Sequence, residues 1–367
     1  MNRVLVFKES LLPPSETFIL SQMNALRRYQ AQLCGLEKSR PSLPVNNDVI
    51  LLADRPAAFA QLRAKLYRRT GIAPLFHRRA RRFRPDLVHA HFASGGLSAI
   101  PLARSLGVPL IVTLHGADIT VRDARSDRYK HLAESAACVI CVSRFIRDRA
   151  LEAGFPAEKL IVHYMGIDRE LFAPSGIPVD TRKVLFVGRL VEKKGCEYIL
   201  RAMHLVQREQ TDCELTIIGD GPLRPSLEEL ARDLKLHCDF RGVQPAPIVR
   251  DMLQKSRVFC VPSVTAANGD SEGLGLVFAE AQSMGVPVVS TLHGGIPEIV
   301  SSEETGFLVP ERAPQALAEA LSTLLADESI WQRFREAAQV RIRDHFDIRV
   351  QTHLLESIYD RLLGARA

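Results

Sequence analysis

The sequence predicts an α/β protein with two doubly wound, Rossmann-like parallel-sheet domains that face an interdomain cleft. First, 367 residues with 46% apolar and 25% charged side chains exceed the size of one comfortable core. Second, short apolar runs alternate with helical patterns along most of the chain. Third, a stretch of turn formers and charges at residues 173–183 separates this alternation into two series. We therefore expect two domains joined by a short linker.

The first series of apolar runs predicts an N-terminal domain at residues 1–172. The runs are nearly free of polar side chains, as expected for parallel strands covered by helices on both faces. A helical pattern follows each run, which is the rhythm of βαβ units. The predicted strands are 4–8, 49–53, 86–91, 109–115, 138–143 and 160–164.

The second series predicts a C-terminal domain at residues 184–345. Several of its strands end in Gly, Ser or Pro, where the chain turns at the carboxyl edge of the sheet, the edge at which doubly wound folds bind ligands. A final helix at 346–367 is expected to pack back toward the N-terminal domain. The predicted strands are 183–188, 214–219, 239–242, 257–262, 287–291 and 306–310.

Two common nucleotide-binding motifs are missing from the sequence. Neither G-x-G-x-x-G nor G-x-x-x-x-G-K-[ST] follows any predicted strand, which disfavours hydride transfer and P-loop hydrolysis. No Asp-x-Asp occurs, and the closest match is Asp270-Ser271-Glu272. We therefore expect no metal ion and no cofactor, so the protein's own cations and backbone amides would have to bind a phosphate.

Cysteine usage and hydropathy predict a cytoplasmic protein. The seven cysteines are odd in number and mostly lie in apolar runs, which suits buried, reduced thiols. Cys138 and Cys141 fall in one predicted strand, where positions three apart point to opposite faces, so a shared metal is disfavoured. His89 and His91 share a strand face, but no second ligand pair at zinc spacing accompanies them. No segment resembles an export signal or a membrane span.

Two segments of the C-terminal domain carry residues suited to an anionic ligand. Gly188 ends a predicted strand and permits close backbone approach, and Arg189 and Lys194 follow at the neck of the next helix. Taken alone, Arg189 and Lys194 could equally be ordinary surface charges. The segment 270–285 strengthens the case, because its glycines can turn amides toward an anion at a helix N-terminus beginning near Leu276.

Two glutamates flank these glycines. Glu272 lies in the loop, where it could accept hydrogen bonds from sugar hydroxyls, and Glu280 lies in the following helix within reach of a ribose. A carboxylate beside a diphosphate is repelled unless hydroxyls intervene, so the pattern favours a nucleotide sugar over bare phosphate. Two solvated glutamates on a helix remain the alternative interpretation.

The motifs of the second half resemble those of the retaining glycosyltransferases of family 4 (GT4), which have the GT-B fold. The match is dense over about 180–310 and sparser before it. Short motifs in the first half are similar to those of the subgroup that builds bacterial exopolysaccharide and capsule repeat units. In the second half, the matching segments are 188–189, 194–195, 272–280, 284–289, 294–298 and 306–309. In the first half, they are 15–18, 89–92, 115–118, 143–144 and 165–168.

The resemblance implies metal-independent transfer of a hexose from a UDP- or GDP-sugar, with retention, to a lipid-linked saccharide or oligosaccharide held by the N-terminal acceptor domain. It implies catalytic roles for His115, Arg189, Lys194 and Glu272. Its donor-binding set is Gly188, Arg189, Lys194, Val243, Glu272, Gly273, Leu274, Gly275, Leu276 and Glu280. Candidate contacts in the N-terminal domain are Ser15, Thr17, His91 and Asp118.

The sequence departs from the family pattern at two places. Leu274 stands where relatives often have Phe, and backbone contacts should survive that change. After the first strand, ESLLPPSETF replaces a common Gly-Gly loop. We expect Ser15 to cap the following helix and Thr17 to approach the phosphates.

A cationic segment at residues 61–84 contains nine Lys or Arg and no acid. Apolar residues interleave with the cations, and Gly71 and Pro74 interrupt the pattern, which predicts two short amphipathic helices. We expect this segment to bind the anionic lipid surface at the inner face of the cytoplasmic membrane. A solvated charged face and RNA binding are the alternatives, although no nucleic-acid module accompanies it. The alternative function is a nucleotide-sugar epimerase or a nucleotide-sugar-binding protein that transfers nothing.

Overall fold

A computed structural model describes residues 1–11, 13, 16–39, 49–53, 57–121, 128–174, 176 and 178–364. The chain forms two compact units. Unit 1 comprises Met1–Gly166 together with Ile348–Ala367, and unit 2 comprises Ile167–Asp347. Each unit is built around its own parallel sheet, as the sequence predicts.

Within the described ranges, the sheet of unit 1 has seven strands in the order β3-β2-β1-β4-β5-β6-β7, and each adjacent pair is parallel. This order places the switch point of the doubly wound topology between β1 and β4, where ligands bind in such folds. The strands are β1 (Asn2–Leu11), β2 (Tyr29–Lys38), β3 (Ile50–Leu51), β4 (Leu87–His91), β5 (Leu110–Leu114), β6 (Cys138–Cys141) and β7 (Leu160–Val162).

Among the described residues of unit 1, seven α-helices connect these strands. The cationic segment forms two helices, as the sequence predicts, because Gly71 adopts a left-handed φ of 67° and Pro74 starts the second helix. The helices are α1 (Thr17–Ala25), α2 (Ala57–Thr70), α3 (Pro74–Phe83), α4 (Ala93–Leu106), α5 (Ala117–Thr120), α6 (Arg128–Ser135) and α7 (Arg144–Glu152).

The sheet of unit 2 has six parallel strands in the order β10-β9-β8-β11-β12-β13. Its switch point lies between β8 and β11. The strands are β8 (Asp180–Val187), β9 (Glu214–Ile218), β10 (Cys238–Phe240), β11 (Ser256–Cys260), β12 (Val288–Thr291) and β13 (Gly306–Val309). The helices are α8 (Cys196–Glu209), α9 (Arg224–Asp233), α10 (Ala246–Lys255), α11 (Leu276–Ser283), α12 (Ile296–Ile299), α13 (Pro314–Ala326) and α14 (Glu328–His345).

The last helix, α15 (Ile348–Gly364), packs within unit 1. Its side chains Leu355, Ile358 and Tyr359 are buried in the same apolar cluster as residues of β1, β2 and α1. Glu356 accepts hydrogen bonds from the backbone amides of Arg27 and its neighbour at 2.7 and 2.6 Å, which fastens the helix beside the start of β2. The core of unit 1 is therefore assembled from two separate stretches of sequence.

The predicted fold class is confirmed, with differences in detail. The apolar pattern missed β2, because its sequence YQAQLCGLEK mixes polar residues and a glycine and contains no β-branched residue. The predicted linker 173–183 extends too far, since β8 already begins at Asp180. The chain enters unit 2 at Ile167, and α14 continues to His345 before α15 begins.

Candidate functional site

The carboxyl edge of the unit 2 sheet brings together most of the predicted donor-binding residues. β8 ends at Val187 and continues directly into Gly188 and Arg189. The amide of Gly188 donates to the Ile218 carbonyl at 3.0 Å, which holds this turn against the end of β9. Arg189 is exposed, and its guanidinium makes no ion pair with any described residue. An anion arriving at this edge would find an unengaged cation.

Lys194 and Glu272 form an ion pair at this edge, although they lie far apart in sequence. The Lys194 Nζ lies 2.5 Å from the Glu272 Oε2, and both side chains are largely buried. Lys194 ends a one-turn 3₁₀-helix, Glu192–Lys194. The left-handed φ of 63° at Gly195 then starts α8. The structure thus joins the two segments that the sequence singled out separately.

A second ion pair lies beside the first. The Lys193 Nζ lies 2.9 Å from the Asp270 Oδ1, with both side chains again largely buried. Burial alone would raise the pKa of the Glu272 carboxyl, but the ammonium groups of Lys194 and Lys193 outweigh burial and lower this pKa to about 2. Glu272 therefore stays ionised at any physiological pH.

The loop between Glu272 and α11 turns sharply and presents backbone amides. Gly275 at the N-cap has a left-handed φ of 83°, and α11 begins at Leu276, as predicted. The amides of Leu274 and Gly275 make no hydrogen bond to any described residue. Such amides at a helix N-terminus, together with the helix dipole, suit a phosphate.

Glu280 lies in α11, half-buried. Its carboxylate has no hydrogen-bond or ion-pair partner among the described residues. Burial raises its pKa to about 7, because no nearby cation compensates for the lost hydration. The two predicted glutamates thus have opposite electrostatic environments: Glu272 is fixed and ionised, whereas Glu280 titrates near neutral pH.

A glycine turn after β9 escaped the sequence analysis. A Cβ on Gly219 would lie 1.9 Å from the Gly188 carbonyl oxygen, so only glycine fits this approach. The Leu190 amide donates to the Asp220 carbonyl at 2.9 Å, and the Leu223 amide donates to the Leu190 carbonyl at 3.1 Å. This turn supports the backbone that carries Arg189. The Gly219-Asp220-Gly221-Pro222 sequence was the available signal.

Val243, expected near the nucleobase, is 76% exposed in the loop that follows β10. The loop lies at the carboxyl edge of the sheet, where the Gly219 amide donates to the Gly242 carbonyl at 2.8 Å. Its contact with a base stays a prediction.

The carboxyl edge of the unit 1 sheet holds three histidines. His115 follows β5, and its Nε2 lies 3.0 Å from the Nδ1 of His91, the last residue of β4. His89 stacks on His91 with ring centroids 4.6 Å apart and hydrogen-bonds the Tyr359 hydroxyl at 2.6 Å. The half-buried His115 ring also contacts Phe92, with centroids 4.4 Å apart. His91 is only 1% exposed, so within this unit it contacts His115 rather than solvent.

These imidazoles are neutral at physiological pH. Burial, with the neighbouring His163, lowers the pKa of His89 to about 3. Burial, His89 and the ammonium of Lys8 lower the pKa of His115 to about 3. Burial, the neighbouring His89 and His115, and the ammonium of Lys8 lower the pKa of His91 well below its usual value. His115 can therefore donate or accept one hydrogen bond with a ligand, but it supplies no positive charge.

Asp118 organises the turn that carries His115. Its carboxylate accepts from the amides of Gly116 at 2.7 Å, His115 at 3.0 Å and Ala93 at 3.0 Å. Burial raises the pKa of this carboxyl, although the backbone hydrogen bonds act against burial. The structure thus shows Asp118 as a group that ties the end of β5 to the start of α4.

The segment after β1 contains the remaining predicted contacts. Ser15 lies outside the described residues. Glu16 occupies the N-cap position of α1, and Thr17 is exposed as the first helical residue. Lys8, in the second half of β1, pairs with Glu16 at 3.2 Å and lies 4.4 Å from the centre of the Phe92 ring. Lys8 is a cation of this edge that the sequence analysis did not single out.

Metal ligands and disulfides are not features of these edges. Within the described ranges, no cluster of three or more His, Cys, Asp or Glu side chains could hold a metal ion. All seven cysteines are free thiols, and six of them are buried. Metal independence itself stays a prediction.

The cationic segment exposes both apolar and charged side chains. Leu62 and Leu66 on α2 and Leu75 on α3 are 64%, 58% and 67% exposed. Arg68 is engaged within unit 1 by Glu9 at 3.0 Å. The Arg63 guanidinium lies 5.8 Å from the centre of the Phe59 ring, and Arg81 donates to the Ser105 carbonyl at 2.6 Å. The side chains of the other six cations make no hydrogen bond, ion pair or ring contact to a described residue: Lys65, Arg69, Arg78, Arg79, Arg82 and Arg84. In the part of the chain that the structure describes, no helix is both long and apolar enough to span a bilayer.

Sequence comparison identifies relatives that match most of the chain. A family profile described as "Glycosyltransferase Family 4" matches residues 16–171, and one described as "Glycosyl transferases group 1" matches residues 168–341. WcaL of Escherichia coli, assigned to colanic acid biosynthesis as a glycosyltransferase, is 35% identical over 70% of this chain and 67% of its own length. The amylovoran biosynthesis glycosyltransferase AmsK of Erwinia amylovora is 32% identical over 76% of this chain and 71% of its own length.

Solved structures show the same fold. Anabaena Alr3699/HepE, crystallised with UDP and glucose, gives a TM-score of 0.79 at 20% identity, covering 98% of this chain and all of that chain. Sucrose-phosphate synthase from Thermosynechococcus elongatus gives a TM-score of 0.79 at 21% identity over the full length of both. The two doubly wound units and these neighbours define a protein of the GT-B fold. Within that class, the chain belongs to glycosyltransferase family 4.

Proposed function

We propose that the chain transfers a hexose, with retention, from a UDP- or GDP-sugar to a lipid-linked saccharide in cell-surface polysaccharide biosynthesis. The observation that carries the proposal is the carboxyl edge of unit 2, which presents the exposed Arg189, the Lys194–Glu272 ion pair and the amides of Leu274 and Gly275. This edge offers cations for a diphosphate and a carboxylate for sugar hydroxyls. The names of WcaL and AmsK, which assign them to colanic acid and amylovoran biosynthesis, support the setting.

Each group has a chemical role in this proposal. Arg189 and Lys194 bind the diphosphate, and the amides at residues 273–276 bind one of its oxygens. Glu272 accepts hydrogen bonds from the hexose hydroxyls, and Glu280 accepts them from the ribose. Val243 contacts the nucleobase. None of these groups requires a metal ion to balance the diphosphate charge.

The transfer step follows from these contacts. The acceptor hydroxyl oxygen bonds to the anomeric carbon on the face from which the diphosphate leaves, and the bond between that carbon and the phosphate oxygen breaks. The departing phosphate oxygen takes the proton of the acceptor hydroxyl. Negative charge grows on the diphosphate during this step, so Lys194 and Arg189 stabilise the transition state more than the ground state.

Unit 1 supplies an aromatic edge whose histidines are neutral and whose cation Lys8 is paired with Glu16. His115 donates or accepts a hydrogen bond at a sugar substrate, and His91 fixes its orientation. Neutral imidazoles suit a polyol, because they neither attract a competing anion nor repel a hydroxyl. Thr17 is exposed at the same edge and is available to a phosphate oxygen.

Helices α2 and α3 dock unit 1 on an anionic membrane in this proposal. Their exposed leucines can enter the headgroup region while six unengaged cations face anionic lipid. Each cation near such a surface contributes about 1 kcal/mol, an attraction that salt screens. A lipid-linked acceptor would then be presented at the surface to which the enzyme binds.

The decisive experiment is a transfer assay. The protein is incubated with UDP-glucose, UDP-galactose, UDP-GlcNAc or GDP-mannose, with and without membrane lipid extract, and nucleotide release and a new saccharide are measured. Acceptor-dependent release with an α-linked product from an α-linked donor supports the proposal. A β-linked product would exclude retention.

Two other outcomes separate the alternatives. Release of nucleotide without acceptor, together with an epimerised free sugar, would indicate a hydrolysing epimerase. Tight binding of the nucleotide sugar without turnover in any mixture would indicate a binding protein. Addition of EDTA leaves the transfer rate unchanged if no metal ion takes part.

A further inference from the structure

We propose that His293, held by Glu311, is a positioning residue that keeps Glu272 in place for the donor hexose. The inference rests on the proposed function, because it assumes that Glu272 binds that hexose. His293 lies in the turn after β12, and its side chain is only 3% exposed. It joins Glu272, in the loop after β11, to Glu311, in the loop after β13. Three loops at the carboxyl edge of unit 2 therefore meet at this side chain.

The tautomer of His293 follows from its partners. The backbone amide of Glu272 donates to the His293 Nε2 at 3.0 Å. Because an amide can only donate, Nε2 must be unprotonated, and the ring proton of the neutral imidazole lies on Nδ1. Nδ1 is 2.6 Å from the Glu311 Oε1, to which it donates. His293 is thus a neutral acceptor toward Glu272 and a donor toward Glu311.

Glu311 is itself held in place. The Thr265 amide donates to its Oε2 at 2.9 Å, and the Thr265 hydroxyl donates to its Oε1 at 3.2 Å. Arg312 adds an ion pair at 3.2 Å. Burial would raise the pKa of Glu311, but these hydrogen bonds and the imidazole lower it. An ionised Glu311 keeps the ring proton of His293 on Nδ1, which leaves Nε2 free to accept.

The Glu272 peptide is clamped on its other side by the same turn. The Gly295 amide donates to the Glu272 carbonyl at 3.0 Å. A Cβ on Gly294 would lie 2.2 Å from that carbonyl oxygen, and one on Gly295 would lie 2.1 Å from the Gly273 carbonyl oxygen. The two glycines are therefore needed for the contact, and Glu272 is bound through both its amide and its carbonyl.

This clamp becomes most important when a donor is bound. Lys194 holds the Glu272 carboxylate at 2.5 Å, but a bound diphosphate competes for the same ammonium. As Lys194 shifts part of its hydrogen bonding to phosphate, the carboxylate loses its main side-chain partner. The backbone hydrogen bond to His293 then keeps the carboxylate directed at the sugar rather than at the phosphate, which would repel it.

The inference predicts that loss of His293 weakens binding of the nucleotide sugar and changes binding of the nucleoside diphosphate little. A variant with a shifted Glu272 loses hydrogen bonds to the hexose, whereas the nucleoside and diphosphate contacts of Arg189 and Glu280 remain. The ratio of the dissociation constants for a nucleoside diphosphate and its sugar derivative isolates this difference. A residue that served only to stabilise the fold would weaken both ligands together.

The test measures Kd by calorimetry for UDP, UDP-glucose, GDP and GDP-mannose. We expect the wild type to bind one sugar nucleotide more tightly than its parent diphosphate. His293→Leu should lower that preference about tenfold while the Kd of the diphosphate stays within about twofold. His293→Gln should restore most of the preference, because its amide oxygen can accept the Glu272 amide at the place of Nε2.

Glu311→Ala provides a second variant with a less buried side chain, and it should lower the preference about threefold. Glu319→Ala, at an exposed position of α13, is the matched control and should change neither Kd.

Equal weakening of both ligands in His293→Leu, or no rescue by His293→Gln, would overturn the inference. If the wild type binds neither class of ligand, the proposed function fails together with the inference. If the wild type binds both without preference, only the role of Glu272 and His293 fails.

Discussion

The carboxyl edges of the two sheets have a similar strand order and different chemistry. In unit 2 the edge carries fixed charges: Lys194 pairs with Glu272 and Lys193 pairs with Asp270. In unit 1 the corresponding edge is occupied by stacked, neutral histidines beside Phe92. Doubly wound folds place ligands at such edges whatever their side chains, so the difference reflects the ligand that each edge suits.

The difference also concerns how each edge is held together. Unit 2 positions its charges through close backbone contacts at glycines, such as Gly219 against Gly188. Unit 1 positions its imidazoles through side-chain hydrogen bonds that end on Tyr359 of α15. In unit 2 the paired Glu272 stays ionised at physiological pH, although Glu280 titrates near pH 7. Unit 1 keeps buried histidines neutral and therefore loses stability as the pH falls. The following predictions test this contrast.

The largest expected effect is on the charged edge. Lys194→Ala should lower kcat about 1,000-fold, because it removes a cation that stabilises the leaving diphosphate and leaves Glu272 buried without its partner. Steady-state kinetics at saturating donor measure this loss. Turnover near that of the wild type would remove Lys194 from the mechanism. Lys255→Ala, an exposed lysine on α10, is the control.

The next effect is a difference in acid stability between the units. Unfolded histidines take up protons below a pKa of about 6.5, whereas His89 and His115 with folded pKa values of about 3 stay neutral. Stability is therefore lost as pH falls through this window, by about 2 kcal/mol for each of the two at pH 5. Glu272, with a lowered pKa of about 2, contributes stability that is lost only below about pH 4.5.

Hydrogen exchange resolved by peptide measures this contrast at pH 7 and pH 5. Protection of the unit 1 core should fall, while that of β8 and β11 in unit 2 should change less. The raised pKa values of Glu16 and Asp118 act in the opposite direction, so the net loss is smaller than the sum of the histidine terms. Equal loss of protection in both units would contradict the contrast.

A smaller effect concerns Glu280. Because burial raises its pKa to about 7, its carboxylate becomes fully available to ribose hydroxyls only above that pH. We expect the KM of the donor to fall as pH rises from 6 to 8. Glu280→Ala should raise KM about tenfold with kcat within about threefold, and Glu280→Gln should abolish the pH dependence between 6 and 8. A kcat loss as large as that of Lys194→Ala would place Glu280 in the chemical step instead.

The smallest effect is on the surface of unit 1. Arg78→Ala should weaken binding to phosphatidylglycerol vesicles about fivefold at low salt, because one cation near the surface is removed. Arg208→Ala, an exposed arginine on α8 in unit 2, should not change it. Vesicle sedimentation measures both, and binding should fall as salt is added. No binding by the wild type at low salt would eliminate the docking proposal.

The sequence predicted the unit 2 edge better than the unit 1 edge for a physical reason. Glycines, cations and the two glutamates of unit 2 are grouped in short segments whose spacing shows what the backbone must do. The hydrogen bond between Tyr359 and His89 in unit 1 could not be predicted in this way, because 270 residues separate the two and no periodic pattern connects them. His293 was also missed, because a histidine that accepts a backbone amide has no signature in the sequence.

Strand β2 shows the same limit at the level of the fold. Its ten residues, Tyr29–Lys38, have no β-branched side chain and alternate too poorly to predict a strand. The strand forms because it pairs with β1 over nearly its whole length and lies in the interior of the sheet. Its conformation is set by tertiary contacts, which local patterns do not report.

The return of α15 to unit 1 has a consequence for biosynthesis. During translation, residues 1–166 leave the ribosome first, yet the side chains of Leu355, Ile358 and Tyr359 that complete their core follow only after all of unit 2. At about 5–20 residues per second, the intervening 180 or so residues take roughly 10–40 s. Unit 2 is continuous in sequence and can close its core in that interval. The nascent unit 1 exposes apolar surface during that interval, so we expect chaperones to bind unit 1 rather than unit 2.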